Sequence, residues 1–260
     1  MKEKIFALVI TVIFGVCLLT PGFCDMSAEE ILKKVAELSF KENFRLALTI
    51  KTFRGQKNES TRSIWVSGRL KQDKADFFFD FDEPQESKGL RFLLQIQPNQ
   101  LPKVFMYLPA TGKTLSVITD DPSADIGGTG LNVDDILGFA PKPGEKYSIA
   151  NDDKTGGQEY WIIRISRPNE GGERLAWVRK KDFVIVKSQD LDINKKIIRT
   201  YRVTEFFKTD DGREMPREEE ITITMKNTRI VVRQEHAVFG IDLPDQLFDP
   251  EQFGTYKWKN

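Results

Sequence analysis

Apolar positions along this chain change their period twice. A continuous apolar run over residues 5–19 follows the charged opening Met1, Lys2, Glu3, Lys4. Beyond it, Ala28, Ile31, Leu32, Val35 and Leu38 recur at the three-and-four spacing of a helix, and Ser27 followed by Glu30 is a capping-box pattern. One amphipathic helix is therefore predicted over Ala28–Ser39. From Phe44 onward the period drops to two: Phe44, Leu46, Leu48 and Ile50 fall on one side, and Arg45, Thr49 and Lys51 on the other. That is the pattern of a strand with one wet face.

Similar strands are predicted at 63–70, 75–81, 90–97, 104–108 and 114–118, separated by turn signals at Arg54-Gly55, Glu83-Pro84, Gln97-Pro98-Asn99 and Ala110-Thr111-Gly112. The stretch 120–132 is rich in Asp, Gly, Pro and Ser. Asn132 then caps a short predicted helix through Val133, Asp134, Asp135, Ile136 and Leu137, which Pro141 and Pro143 close. Strands resume at 147–150, 159–166, 174–179, 183–191, 196–208, 218–225 and 228–236, with hairpin turns at 169–172, 180–182 and 209–212. About a dozen strands at this spacing, with no alternating helices, predict a mainly β (α+β) chain. The expected form is a single curved antiparallel sheet, an incomplete β-barrel, whose inner face is covered by the N-terminal helix and the short inserted helix.

The opening run is shorter than the ~18–20 apolar residues of a spanning helix, and Pro21-Gly22 break it, so residues 1–24 are expected to be a signal peptide. A cut before Asp25 leaves one domain, 25–260, because no repeat, low-complexity tract or linker divides the remainder. A tethered form acylated at Cys24 is the rival, and the bulky Phe23 before that cysteine argues against it. Cys17 and Cys24 are the two cysteines of the chain. The expected mature protein thus has no thiol, and its stability rests on burial rather than on disulfides.

Charge narrows the function further. The sequence has 39 Lys+Arg against 39 Asp+Glu, so no global field draws it to a polyanion. With one histidine, His236, the commonest acid/base and metal-ligand chemistry is scarce.

The aromatic strands are what point to a ligand. Phe77, Phe78, Phe79 and Phe81, then Phe92, Leu93 and Leu94, then Phe105, Met106 and Tyr107 load both faces of the sheet with bulky groups, so both need cover. An inner face curved around helices can be filled by its own side chains or can hold a ligand, and periodicity does not distinguish the two. By alternation, Phe44, Leu46, Leu48, Phe77, Phe79, Phe92 and Leu94, with Ile136 and Leu137 of the inserted helix, are the candidates for lining such a cavity. An acyl chain is a fitting occupant, since sixteen carbons at ~0.8 kcal/mol each cost roughly 13 kcal/mol in water.

Several stretches resemble a known family. Pro84 with Lys88-Gly89 and Leu90–Leu94, Val104-Phe105-Met106-Tyr107-Leu108-Pro109 with Lys113, Ile126–Ile136, and Asp242-Leu243-Pro244-Asp245 with Leu247 and Phe248 are similar to the LolA/LolB periplasmic lipoprotein-carrier superfamily. Within it they look most like the branch of outer-membrane lipoprotein-sorting proteins. The resemblance spans nearly the whole expected mature chain and departs from the branch at Thr129-Gly130. It implies an incomplete barrel closed by helices over a hydrophobic cavity for acyl groups, with no metal, cofactor or catalytic residue. It also implies a periplasmic location, lipid or lipoprotein acyl chains as cargo, and partners in an inner-membrane transporter and an outer-membrane acceptor.

The remaining motifs read as structure. Gly112-Lys113-Thr114 has Tyr107 where a phosphate loop needs its first glycine. Gly127-Gly128-Thr129-Gly130 lacks the strand-loop-helix setting of a dinucleotide site and is read as a flexible loop. Asp120-Asp121, Asp125 and Asp134-Asp135 lack calcium-loop spacing and are read as caps and solvated groups. Glu218-Glu219-Glu220 is read as the solvated edge of a strand that blocks aggregation. His236 is read as a surface residue, and no nucleophile elbow is present. The leading expectation is a non-enzymatic periplasmic acyl-chain carrier. The alternatives are an envelope adaptor that binds a membrane transporter or assembly partner on the same scaffold, and an exported hydrolase.

Overall fold

A computed structural model describes residues 26–257, apart from residues 40, 72–73, 98–99, 101, 118–124, 140, 143, 168–170 and 210–211. The expected signal peptide, Cys17, Cys24 and the Asp120-Asp121 pair lie outside the described residues.

The chain opens with helix α1 (Ala28–Ser39) and continues into β1 (Phe44–Arg54), β2 (Lys57–Lys71), β3 (Lys74–Glu83), β4 (Arg91–Ile96), β5 (Lys103–Leu108) and β6 (Lys113–Val117). After the short helix α2 (Val133–Leu137) come β7 (Lys146–Thr155), β8 (Gln158–Arg167), β9 (Gly172–Arg179), β10 (Ile185–Leu191), β11 (Ile197–Lys208), β12 (Glu214–Ile223) and β13 (Thr228–Phe239), then a 3-10 turn at Asp245–Phe248. All 13 strands form one antiparallel sheet, ordered β6-β5-β4-β3-β2-β1-β13-β12-β11-β10-β9-β8-β7, which does not close into a barrel. Two meanders, β1–β6 and β7–β13, thus meet where β1 pairs with β13, from Phe44 opposite Phe239 to Arg54 opposite Thr228.

The helix signals act as their chemistry requires. Ser27 N and Oγ donate to Glu30 Oε2 at 2.8 and 2.7 Å, and Glu30 N donates back to Ser27 Oγ at 3.3 Å. Such a cap contributes about 1 kcal/mol. The buried stripe of α1, Ala28, Ile31, Leu32 and Val35, packs against Ile163, Ile165, Val178 and Ile185 of β8, β9 and β10. At α2, Asn132 and Asp135 form a reciprocal capping box.

Cover for the two-sided aromatic strands comes from both directions. Phe77, Phe79 and Phe81 face inward with Phe92 and Leu94. Phe78 and Leu93 face outward, where the C-terminal segment buries Leu247, Phe248 and Phe253 against them. Arg91, paired with Asp80, fastens that segment by donating to the carbonyls of Phe253, Gly254 and Tyr256 at 3.1, 2.9 and 2.8 Å.

Several expectations need correction, among them β2 and β12, which start earlier than expected, at Lys57 and Glu214. The strand expected at 147–150 runs on to Thr155, because Gly156 and Gly157, both at positive φ, make the hairpin turn to β8. The glycine-rich stretch Gly127-Gly128-Thr129-Gly130 is not a free loop. It lies against the sheet, with Thr129 buried and its backbone carbonyl accepting from Thr52 Oγ1 at 3.1 Å. A Cβ at Gly127 would lie 2.4 Å from Phe81 Cζ and one at Gly130 2.8 Å from Ile230 Cδ1, so glycine lets this backbone approach the sheet. The Glu218-Glu219-Glu220 run is not a sheet edge, since β12 lies between β11 and β13. Alternation sends Glu218 and Glu220 outward to Arg233, Arg202 and Arg229, and turns Glu219 inward.

Candidate functional site

Between the inner face of the sheet and its covering elements lies a cavity of about 580 Å³. That volume falls within the ~300–1,000 Å³ typical of small-molecule sites. Its cover is the C-terminal half of α1, from Val35 to Ser39, together with the segment from Ile126 through α2 to Phe139. Its floor has two sectors of different chemistry. On β1, β2 and β3 the wall is apolar, built by Leu46, Leu48, Ile50, Ile64, Val66 and Phe79 among others. On β9–β12 polar groups enter it: Arg174, Ser188, Arg199, Tyr201 and Glu219.

The period-two reading places most of the expected lining residues here. Phe44, Leu46, Leu48, Phe77, Phe79 and Ile136 border the cavity. Phe92 and Leu94 face the same way but do not border it. They are 7% and 2% exposed, one strand further out on β4, where side chains fill the inner face; the Phe92 ring centroid is 5.7 Å from that of Phe81. Leu137 lies in α2, and its side chain is outside the described set. His236 is exposed on β13. Among the described residues, no three or more His, Cys, Asp or Glu side chains gather as a metal-binding group. No described helix is long and apolar enough to cross a membrane.

The polar sector was missed by the sequence reading. Tyr201 and Glu219 are diagonal neighbours across the β11/β12 ladder, where Tyr201 stands opposite Ile221 and Val203 opposite Glu219. The Tyr201 hydroxyl donates to Glu219 Oε1 at 2.5 Å. Burial pushes the Glu219 carboxyl above its ordinary value, with the Tyr201 hydrogen bond opposing. Burial and the neighbouring carboxylate push the Tyr201 hydroxyl up as well, so it remains a donor. Phe139 packs beside them, its ring 6.2 Å from Tyr201 and under the Arg174 guanidinium at 5.1 Å.

The cations of the wall are matched to carboxylates. Arg174 grips Asp190 with two hydrogen bonds of 2.5 and 2.8 Å, Arg199 reaches Asp135 at 2.6 Å, and Arg213 reaches Glu42 at 2.5 Å. Burial weakens the charge of Arg174, but Asp190, Asp134 and Asp135 outweigh it and its pKa is raised. Asp135 is both cap and ion-pair partner, which corrects the reading of the Asp134-Asp135 pair as simple caps; Asp134 likewise binds Lys142 at 2.6 Å. Polar residues in phase with inward apolar ones, such as Arg174 with Ala176 and Val178 or Glu219 with Ile221, are the signal that would have exposed this sector.

A family model whose description reads "Uncharacterized protein" matches residues 73–255. The chain belongs to that family. No curated protein matches the sequence. Among solved structures, a DUF1329 family protein from Desulfovibrio piger superposes with a TM-score of 0.74 at 15% identity, covering 86% of this chain and 98% of that one. A proposed outer membrane lipoprotein-sorting protein domain from Vibrio parahaemolyticus gives 0.73 at 16%, over 87% and 99%. A LolA superfamily protein from Nitrosomonas europaea gives 0.66 at 16%, over 86% and 98%. The fold of this family member is thus the one its sequence resemblance implies.

Proposed function

We propose that this protein is an exported, non-enzymatic carrier that holds the acyl chains of a lipid or lipoprotein between its sheet and its helices. The observation that carries this reading is the cavity itself. About 580 Å³ lies open against a wall rich in Leu, Ile, Val and Phe side chains, bordered by the inner-face cluster of β1–β3 and by the α1 cluster. A hydrocarbon tail lying against that wall takes both its own surface and the wall's out of water and gains close contacts with the lining side chains. Each methylene moved from water into it gains ~0.8 kcal/mol, with no chemistry asked of the wall.

The fold shared with a lipoprotein-sorting domain and a LolA superfamily protein supports the same reading. So does the apolar run at 5–19, read as part of a signal peptide over residues 1–24 that delivers the 25–260 domain to the periplasm. There a membrane transporter and an outer-membrane acceptor are the partners such a carrier requires.

The test is direct. The purified protein, solvent-extracted and examined by mass spectrometry, is expected to yield co-purified acyl lipid. After delipidation it is expected to take up a fluorescent fatty-acyl probe with saturable one-site binding. A lipid-free preparation that takes up no probe overturns the proposal.

A further inference from the structure

We infer that the Tyr201–Glu219 pair is a head-group subsite that selects acyl ligands with a neutral, hydrogen-bond-donating head, such as a hydroxyl or an amide N–H, over ligands with a phosphate. This deepens the acyl-carrier reading and rests on it. The pair stands in the cavity wall on β11 and β12, with β13 between it and the apolar sector of β1–β3. A chain laid against Leu46, Leu48 and Val66 therefore has a polar pair bordering the same space.

Charge bookkeeping around the cavity decides the class. Each arginine of the wall already faces a carboxylate: Arg174 with Asp190, Arg199 with Asp135, and Arg213 with Glu42. The other wall carboxylates are engaged by cations too, Asp134 by Lys142, Asp182 by Arg179, and Glu214 by Lys181. Glu219 differs, because its recorded partner is a tyrosine hydroxyl rather than a cation. Its cross-strand neighbours on either side, Val203 and Val232, are apolar.

One hydrogen bond from Tyr201 leaves most of the accepting capacity of the Glu219 carboxyl unused, since a carboxylate offers about four lone-pair sites. A hydroxyl or amide N–H entering with an acyl chain fills part of that capacity and carries no charge into the cavity. A phosphate meets arginines that are already neutralised, beside an acidic side chain, and must shed its water for no new partner. An ammonium head gains attraction to Glu219 but gives up the hydration of a full charge in a largely apolar space. The neutral donor is the head group this wall accommodates at least cost.

The experiment uses the purified, delipidated chain and two fluorescent probes with identical acyl chains, a diacylglycerol and the matching phosphatidic acid. Wild-type protein is expected to bind the diacylglycerol roughly tenfold more tightly, the scale of one or two buried hydrogen bonds. Glu219→Leu is expected to bring the ratio close to one, and Glu219→Gln, which retains an acceptor carbonyl, to keep the preference. The Gln variant also serves if the Leu variant does not fold. Equal binding of both probes by wild type, tighter binding of the phosphatidic acid, or tightest binding of a matched ammonium-headed probe each overturns the subsite while leaving the acyl cavity standing. Uptake of none of the probes overturns the carrier reading and the subsite together.

Discussion

Arg199 of β11 donates to Asp135 of α2 at 2.6 Å, and through that one carboxylate the inserted helix is both capped and tied to the sheet. The other oxygen of Asp135 accepts from the Asn132 backbone N–H at 2.9 Å, closing the capping box. Burial raises the pKa of this carboxyl, and Arg199 works in the opposite direction. Asp135→Ala removes half of the capping box and leaves the part-buried Arg199 without this partner, so a loss of about 2 kcal/mol is expected. Urea unfolding followed by tryptophan fluorescence measures it. Asp135→Asn, which keeps the cap acceptor, is expected to lose less.

The glycine-rich segment over the sheet gives a comparison at matched backbone conformation. Gly127 and Gly156 have φ of +60° and +59°, but a Cβ at Gly127 meets the Phe81 ring and one at Gly156 meets nothing within 4 Å. Both alanine substitutions incur left-handed backbone strain of about 1–2 kcal/mol. Gly127→Ala adds an overpacking cost of about 1–3 kcal/mol. Chemical denaturation of the two variants side by side is expected to show Gly127→Ala as clearly the less stable.

Glu219 predicts a pH dependence. Its folded pKa lies above the ordinary value of 4.5, so the native state holds its proton where the unfolded chain releases it. The contribution of this group is complete below that value and is lost as pH rises through the raised pKa. Glu219→Gln has no such loss. Melting temperatures from about pH 4 to about pH 8 are expected to show the variant gaining on wild type as pH rises, with the gap narrowing on acidification. A gap that widens toward acid contradicts this sign.

Cavity and packed core are separable by mutation. Leu48→Trp places bulk in the cavity and is expected to lower acyl-probe affinity by roughly tenfold or more, with the fold retained by circular dichroism. Phe92→Ala, in the filled region beside the cavity, is expected to cost about 3–5 kcal/mol of stability and to leave uptake by the folded protein nearly unchanged.

Much of this architecture was legible in the chain because two local signals are strong. Ser27, Glu30 and the apolar stripe of α1 gave its bounds, and alternation from Phe44 onward set which side chains face inward. Long-range facts were not legible. Nothing near Glu218-Glu219-Glu220 says that β12 has a strand on each side, so a run of three acids read as an edge, and its inward member passed for a solvated group. Period two assigns Phe92 and Leu94 to the inner face but carries no information on how far β4 stands from the empty space. Gly127 and Gly130 looked like freedom, and became close contact only once Phe81 and Ile230 were seen beneath them. Phe78 and Leu93 demanded outer cover, which Leu247, Phe248 and Phe253 supply from roughly 155–175 residues further along the chain.

The seam between β1 and β13 has a consequence for how the molecule comes into being. Its two meanders are each built from neighbours in the chain, so each can zip up early through short hairpins. Their union waits for Thr228–Phe239, the last of the sheet's 13 described strands in chain order, to find Phe44–Arg54. Until then β1 presents a raw edge, and a nascent or half-threaded polypeptide stays sticky and in need of chaperone protection until β13 has been made.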